Sequence, residues 1–183
     1  MIFQETPIKK LKLIEHHANK DKRGSLSRLF CQKTMSRLMD GKIIKQINKS
    51  FTKKKGTVRG LHFQHSPFTE TKIVSCIKGK VWDVAIDLRR ESKTFLNYHA
   101  EILTEDNNKS FFIPDGFAHG FQTLTPDCEM LYFHTAEYNK KLENGINADD
   151  PIIGVKWPTV ITERSERDIK LKMLDNDFKG IEI

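Results

Sequence analysis

Residues 72–88 read KIVSCIKGKVWDVAIDL, two runs rich in Val, Ile and Trp on either side of a single glycine at position 79. β-Branched and aromatic residues suit a pleated, half-buried surface, and Lys78-Gly79-Lys80 has turn chemistry. The stretch therefore predicts two strands joined as a tight hairpin. Side chains alternate across a strand, so Val81, Asp83, Ala85 and Asp87 share one face and Trp82, Val84, Ile86 and Leu88 the other. The same grammar continues outward. Ser110-Phe-Phe-Ile113, the turn Pro114-Asp-Gly116, and Gly120-Phe-Gln-Thr-Leu124 predict two more strands, and Glu129 to His134 another. Many short strands with frequent turns between Gly41 and about Leu131 predict a mainly β domain: a sandwich, barrel or jelly roll. Helical spacing is confined to Phe30–Met39, read as a short surface helix stopped by Gly41, and to a short stretch near Asp168–Leu174. The run Lys53-Lys54-Lys55 before Gly56 reads as a solvated hairpin loop.

Composition sets the outer limits. The chain has 183 residues, 38% hydrophobic and 30% charged. That length forms one domain with a core of its own and argues against intrinsic disorder. No stretch approaches the roughly 18 apolar residues of a spanning helix, and MIFQETPIKK has no secretory leader pattern, so a cytoplasmic protein without a membrane role is expected. Cys31, Cys76 and Cys128 are odd in number and form no CxxC pair, as expected of reduced, packed thiols. The net charge of +7 is unevenly placed: residues 1–60 hold 16 Lys plus Arg against 4 Asp plus Glu. Such a bias admits nucleic acid, anionic lipid or an anionic small molecule as partner.

Polar groups on the inward face of a small barrel converge on one cavity without being close in sequence. Three segments carry them. In Arg59-Gly-Leu-His62 a glycine allows close approach between two candidate side chains; Pro114-Asp-Gly-Phe-Ala-His119 delivers an imidazole into an apolar strand; and Tyr132 and His134 share a strand face. Pro-x-Gly-x-x-His is also the second metal motif of many cupins, which makes His62, His65 and His119 candidate ligands. However, the first cupin motif expects His-x-His, whereas His62-x-x-His65 places the two rings on opposite faces of a regular strand. No metal and no cofactor are expected.

Taken together, Arg23-Gly24, Gln46-x-Asn48, Arg59-Gly-Leu-His62-Phe-Gln64, Lys72-Ile-Val74, Gly79-x-Val-x-Asp83-Val-Ala-Ile-Asp87-Leu-Arg89, Ser92-x-Thr94-Phe95, Ile113-Pro-x-Gly-Phe-Ala-His119-Gly-Phe121, Leu131-Tyr132, Asp149-Asp150-Pro151 and Ser165-x-Arg167-Asp168 occur in one order. That series resembles the dTDP-4-dehydrorhamnose 3,5-epimerase family over nearly the whole chain. The resemblance implies a cupin-type jelly-roll barrel at residues 41–138, an N-terminal extension at 1–40 and a C-terminal extension at 139–183, with short helices in the extensions. It also implies a metal-independent epimerase working as a homodimer with exchanged N-terminal strands, on a nucleotide-diphosphate-linked 4-keto-6-deoxysugar.

Such a reaction removes a proton α to a ketone, stabilises the enolate and returns a proton to the other face. By resemblance, His62 is the base, Asp168 the carboxylate behind it, Tyr132 the acid, and Lys72 the group at the enolate oxygen. Arg59 and His119 match positions near the phosphates, and Arg23 one that reaches into the neighbouring subunit's site. Gln46 and Asn48 match nucleotide or diphosphate contacts, and Tyr138 an aromatic that stacks on the base. A diphosphate accounts for the basic bias more economically than nucleic acid does. The chain departs from the family where Arg23-Gly24 continues Ser25-Leu26-Ser27-Arg28, placing Arg28 where an acid is expected. That leaves CDP- and GDP-sugars open beside dTDP, and a single-site epimerase or 3,4-ketoisomerase open beside the double epimerase. A metal-dependent cupin oxygenase and a non-catalytic binding module are the more distant alternatives.

Overall fold

The computed structural model describes residues 1–183, and nearly all of its regular structure is strand. The N-terminal segment holds β1 (Ile2–Glu5), β2 (Lys12–Glu15), β3 (Ala18–Asp21), β4 (Gly24–Ser27) and the one-turn helix α1 (Gln32–Met35). Then follow β5 (Gln46–Thr52), β6 (Val58–Gln64), β7 (Lys72–Lys78), β8 (Lys80–Asp87), β9 (Tyr98–Thr104), β10 (Lys109–Ile113), β11 (Phe117–Thr123), β12 (Cys128–His134) and β13 (Glu143–Gly145). A second one-turn helix, α2 (Glu166–Ile169), lies in the C-terminal segment. One antiparallel sheet has the order β1-β2-β10-β7-β12-β5, and the facing sheet β13-β6-β11-β8-β9. From β5 onward the chain alternates between the two sheets, staying in one only for β8 and β9. This winding is the jelly-roll barrel of the cupins.

The alternation corrects two local readings. β7 and β8 are strands, but β7 pairs with β10 and β12 while β8 pairs with β9 and β11, so they form no hairpin. Gly79, at φ +81°, turns a corner between sheets, where a Cβ would meet Thr125 Oγ1 at 2.7 Å and Cys128 Sγ at 2.9 Å. Likewise Lys53–Lys55 is exposed as expected, yet it carries the chain from β5 in one sheet to β6 in the other.

The predicted alternation in β8 holds. Val81 and Ala85 join the core between the sheets, with Leu103, Phe111, Phe117, Phe121 and Met130. Val84, Ile86 and Leu88 enter a second core beneath the C-terminal segment, where Trp157 packs edge-on against Trp82. A third core lies under the N-terminal segment, where Ile14, Met35 and Met39 cover Ile73, Phe112 and Phe133. Both outer faces are thus roofed, which explains runs such as Phe111-Phe112 and Val84-Ala85-Ile86 in place of strict alternation.

The predicted helix at 30–39 shortens to one turn. Cys31 at its N-cap supplies no side-chain hydrogen bond and no acid occupies the first turn. It is also no surface helix, because Met35 and Met39 are almost fully buried. The second predicted helix starts earlier than expected, since Ser165 caps it and accepts from the Asp168 N–H at 3.0 Å. No helix is long and apolar enough to cross a membrane.

Candidate active site

A polar cavity of about 380 Å³ opens between the two sheets. Its first two groups owe their shared position to a break in register. Arg59 pairs with Phe121 and His62 with His119, so Gly60 and Leu61 together face only Gly120. This two-against-one bulge turns side chains three apart onto one face. Gly60 takes φ +123°, and a Cβ there would lie 2.6 Å from the Gly120 Cα and 2.8 Å from the His119 carbonyl oxygen. Backbone on both sides leaves nothing to give way. Gly60→Ala is therefore expected to cost at least about 2 kcal/mol in urea unfolding.

His62 is held from behind. Its Nε2 lies 2.8 Å from Asp168 Oδ1, and Asp168 Oδ2 accepts the Gly60 N–H at 3.3 Å. Burial pushes the Asp168 carboxyl up, but the His62 bond and charge outweigh it and hold the group below the usual range. An ionised Asp168 must accept, so Nε2 donates and Nδ1 keeps its lone pair. That is the tautomer a base requires.

The opposite sheet supplies the other groups. Tyr132 on β12 shares a 2.9 Å hydrogen bond with Ser50 on β5, and burial raises its phenol, which stays protonated through neutral pH. Lys72, at the start of β7, is buried and paired with Glu70 at 3.0 Å. His119 is paired with Asp83 at 2.9 Å; Asp83 is fully buried, its carboxyl is raised by burial against the pull of His119, and its Oδ2 has no partner. Arg59 is aimed by β5, its Nε donating to Thr52 Oγ1 at 2.9 Å and one terminal nitrogen to the Phe51 carbonyl at 3.0 Å. At the rim, Glu143 accepts from the Tyr138 hydroxyl at 2.8 Å and pairs with Arg167 at 2.6 Å. Gln46 and Asn48 line the cavity from β5, opposite His134 and Tyr132.

Residues 5–176 match the family model described as dTDP-4-dehydrorhamnose 3,5-epimerase. The chain belongs to the dTDP-4-dehydrorhamnose 3,5-epimerase family. It is an isomerase. The dTDP-4-dehydrorhamnose 3,5-epimerase of Sinorhizobium fredii is 39% identical over 162 residues, 88% of this chain and 83% of the relative. Among solved structures, dTDP-6-deoxy-D-glucose-3,5-epimerase from Legionella pneumophila, in complex with dTDP-4-keto-L-rhamnose, is similar at TM-score 0.89 and 36% identity, covering 94% of this chain and 92% of that one. The Bacillus anthracis dTDP-4-dehydrorhamnose 3,5-epimerase with TDP and PPi bound is similar at TM-score 0.90 and 33% identity, covering 94% of this chain and 99% of that one.

Of the residues singled out by the resemblance to this epimerase family, nine line the cavity: His62, Tyr132, Asp168, Lys72, Gln46, Asn48, Arg59, His119 and Tyr138. Two do not. Arg23 is exposed near the turn of the β3–β4 hairpin and paired with Asp21, and Arg28 lines a separate depression with His17 and Asn19. His65 also turns away from the cavity, its Nε2 3.3 Å from the Asn144 amide. Glu70, Asp83, Ser50, Glu143 and Arg167 were not anticipated. A signal existed for Asp83, a carboxylate on the strand face shared with Val81 and Ala85. Glu70 and Glu143 each join a nearby residue, Lys72 or Tyr138, to one from a distant segment, His134 or Arg167.

Proposed function

We propose that the chain inverts C3 and C5 of a dTDP-linked 4-keto-6-deoxysugar, with His62 as base and Tyr132 as acid. The observation that carries this reading is the pairing of proton-handling groups on opposing sheets: a carboxylate-backed imidazole on β6 and a phenol on β12 line one cavity. His62 Nδ1 takes the proton α to the C4 ketone, the Lys72 ammonium stabilises the enolate oxygen, and Tyr132 delivers a proton to the opposite face. Once proton exchange with solvent has returned His62 to its neutral form and Tyr132 to its phenol, the same sequence at the second carbon completes the double inversion.

Arg59 and His119 serve the diphosphate, Gln46 and Asn48 the nucleotide side, and Tyr138 the base. Because a guanidinium grips phosphate through a planar fork, Arg59→Lys should raise KM about tenfold or more while leaving kcat close to the parent value. Steady-state kinetics check this directly.

The proposal includes a homodimer in which Arg23 is delivered to the partner's cavity. Its support is the exposed position of Arg23 away from its own cavity, and the exposure of Ile47 and Phe51 on β5, an edge strand. The proposed location is the cytoplasm, in keeping with three unpaired cysteines. The nucleotide is assigned as dTDP from the dTDP-4-keto-L-rhamnose bound to the Legionella relative and the TDP bound to the Bacillus one. The test is to supply dTDP-, CDP- and GDP-4-keto-6-deoxyglucose and read product configuration by NMR. The expected product is dTDP-4-keto-L-rhamnose; inversion at one carbon only, or of none of the three sugars, would contradict the proposal.

A further inference from the structure

Three histidines line the cavity and each is backed by a carboxylate: His62 by Asp168, His119 by Asp83 and His134 by Glu70. The third pair differs from the others because its carboxylate is shared. Glu70 Oε1 lies 3.0 Å from Lys72 Nζ, and Oε2 lies 2.8 Å from His134 Nδ1. The His134 ring in turn stacks on Tyr132, with centroids 6.0 Å apart and an interplanar angle of 22°. Strand register sets His134 opposite Lys72 on the β7–β12 ladder, with Tyr132 two residues away on β12 opposite Val74 and Glu70 just before β7. We infer that Glu70 and His134 are positioning residues, a clamp that fixes the Lys72 ammonium and the Tyr132 phenol in one frame for enolate stabilisation and reprotonation.

This inference rests on the proposed epimerisation. A free lysine samples many rotamers, at an ordering cost of up to about 2 kcal/mol. Here two of the three ammonium donors are committed within the wall, to Glu70 and to the His62 carbonyl oxygen at 3.4 Å, leaving one for a ligand. The ordering is thus complete before substrate arrives. The Glu70 charge persists at neutral pH: burial pushes its carboxyl up, but Lys72 and His134 outweigh it and hold it at about 2. The other ionisable groups around Lys72 are Asp83 on β8, His62 on β6 and Tyr132 on β12. Asp83, its carboxyl raised by burial, is a poor substitute for Glu70 as counter-ion.

Glu70→Gln keeps the shape and removes the charge. It should lower kcat about 10- to 100-fold with KM within about threefold, the signature of lost positioning and not of lost binding. The alkaline limb of the kcat profile should also move to lower pH, because a buried ammonium without its counter-ion gives up its proton sooner. A purely structural residue would not move that limb. His134→Asn retains a donor towards Glu70 and should keep most of kcat, whereas His134→Leu should fall with Glu70→Gln. Melting temperatures identify any variant that fails to fold, and the Asn/Leu comparison decides the matter if Glu70→Gln is one of them. Parent-like kcat and pH profile in Glu70→Gln, or equal activity of the two His134 variants, would overturn the clamp while leaving the epimerisation standing. A parent enzyme that turns over none of the nucleotide sugars would overturn the proposed function instead.

Discussion

His62→Ala should lower kcat by about 10² to 10⁴, the contribution of a positioned general base, with little change in KM. The imidazole is proposed as the base because Asp168 holds it in the tautomer with Nδ1 free, and the neighbouring cavity groups are less suited to the task. His119 and His134 carry the same carboxylate backing but are nearly buried, their side chains 7% and 11% exposed against 28% for His62, and Lys72 is tied to Glu70. The fold should survive, since the His62 side chain is 28% exposed and belongs to none of the three cores. A stability loss of about 1–3 kcal/mol is expected, because the buried Asp168 carboxylate keeps the Gly60 N–H as its donor but loses the imidazole. Kinetics and urea unfolding on the same preparation separate the two effects. A variant with near-parent kcat would remove His62 from the role of base.

Tyr132→Phe has a more informative signature. The ring stays stacked on His134 and only the hydroxyl bonded to Ser50 is lost, about 1 kcal/mol of stability. With His62 intact the α-proton still leaves, and it returns to the face from which it came. Net inversion should therefore drop by about 10²-fold or more while exchange of the α-hydrogen with solvent continues. NMR in D2O reads both quantities from one sample. If inversion persists at the parent rate, the phenol is not the acid; if exchange stops together with inversion, Tyr132 takes part in proton removal and the assignment of the two faces is wrong.

The strands were legible in the sequence because their composition and alternation are local properties. Val81, Ala85, Val84 and Ile86 fall on the two faces that a period of two demands. Sheet membership was not legible. Gly79 between two strands reads the same whether it closes a hairpin or turns a corner, and the choice is made by β10 and β12 claiming both edges of β7. Family motifs brought out His62, Lys72, Tyr132 and Asp168, and the bulge at Gly60 shows why Arg59 and His62 share a face at a spacing that a regular strand would divide. Glu70 and Glu143 escaped notice because each bridges a near neighbour, Lys72 or Tyr138, to a second partner 64 or 24 residues away, at His134 or Arg167. Arg28, singled out as a departure near the nucleotide, lies outside the cavity of its own chain and gives its carbonyl to His16 at 2.9 Å.

Deuterium incorporation by the unmodified enzyme tests the central claim most directly. With dTDP-4-keto-6-deoxyglucose in D2O, proton removal by His62 and return by Tyr132 predict a product carrying deuterium at both C3 and C5. An inverted product that retains the substrate's own hydrogen at those carbons, or the absence of exchange at both, would contradict it.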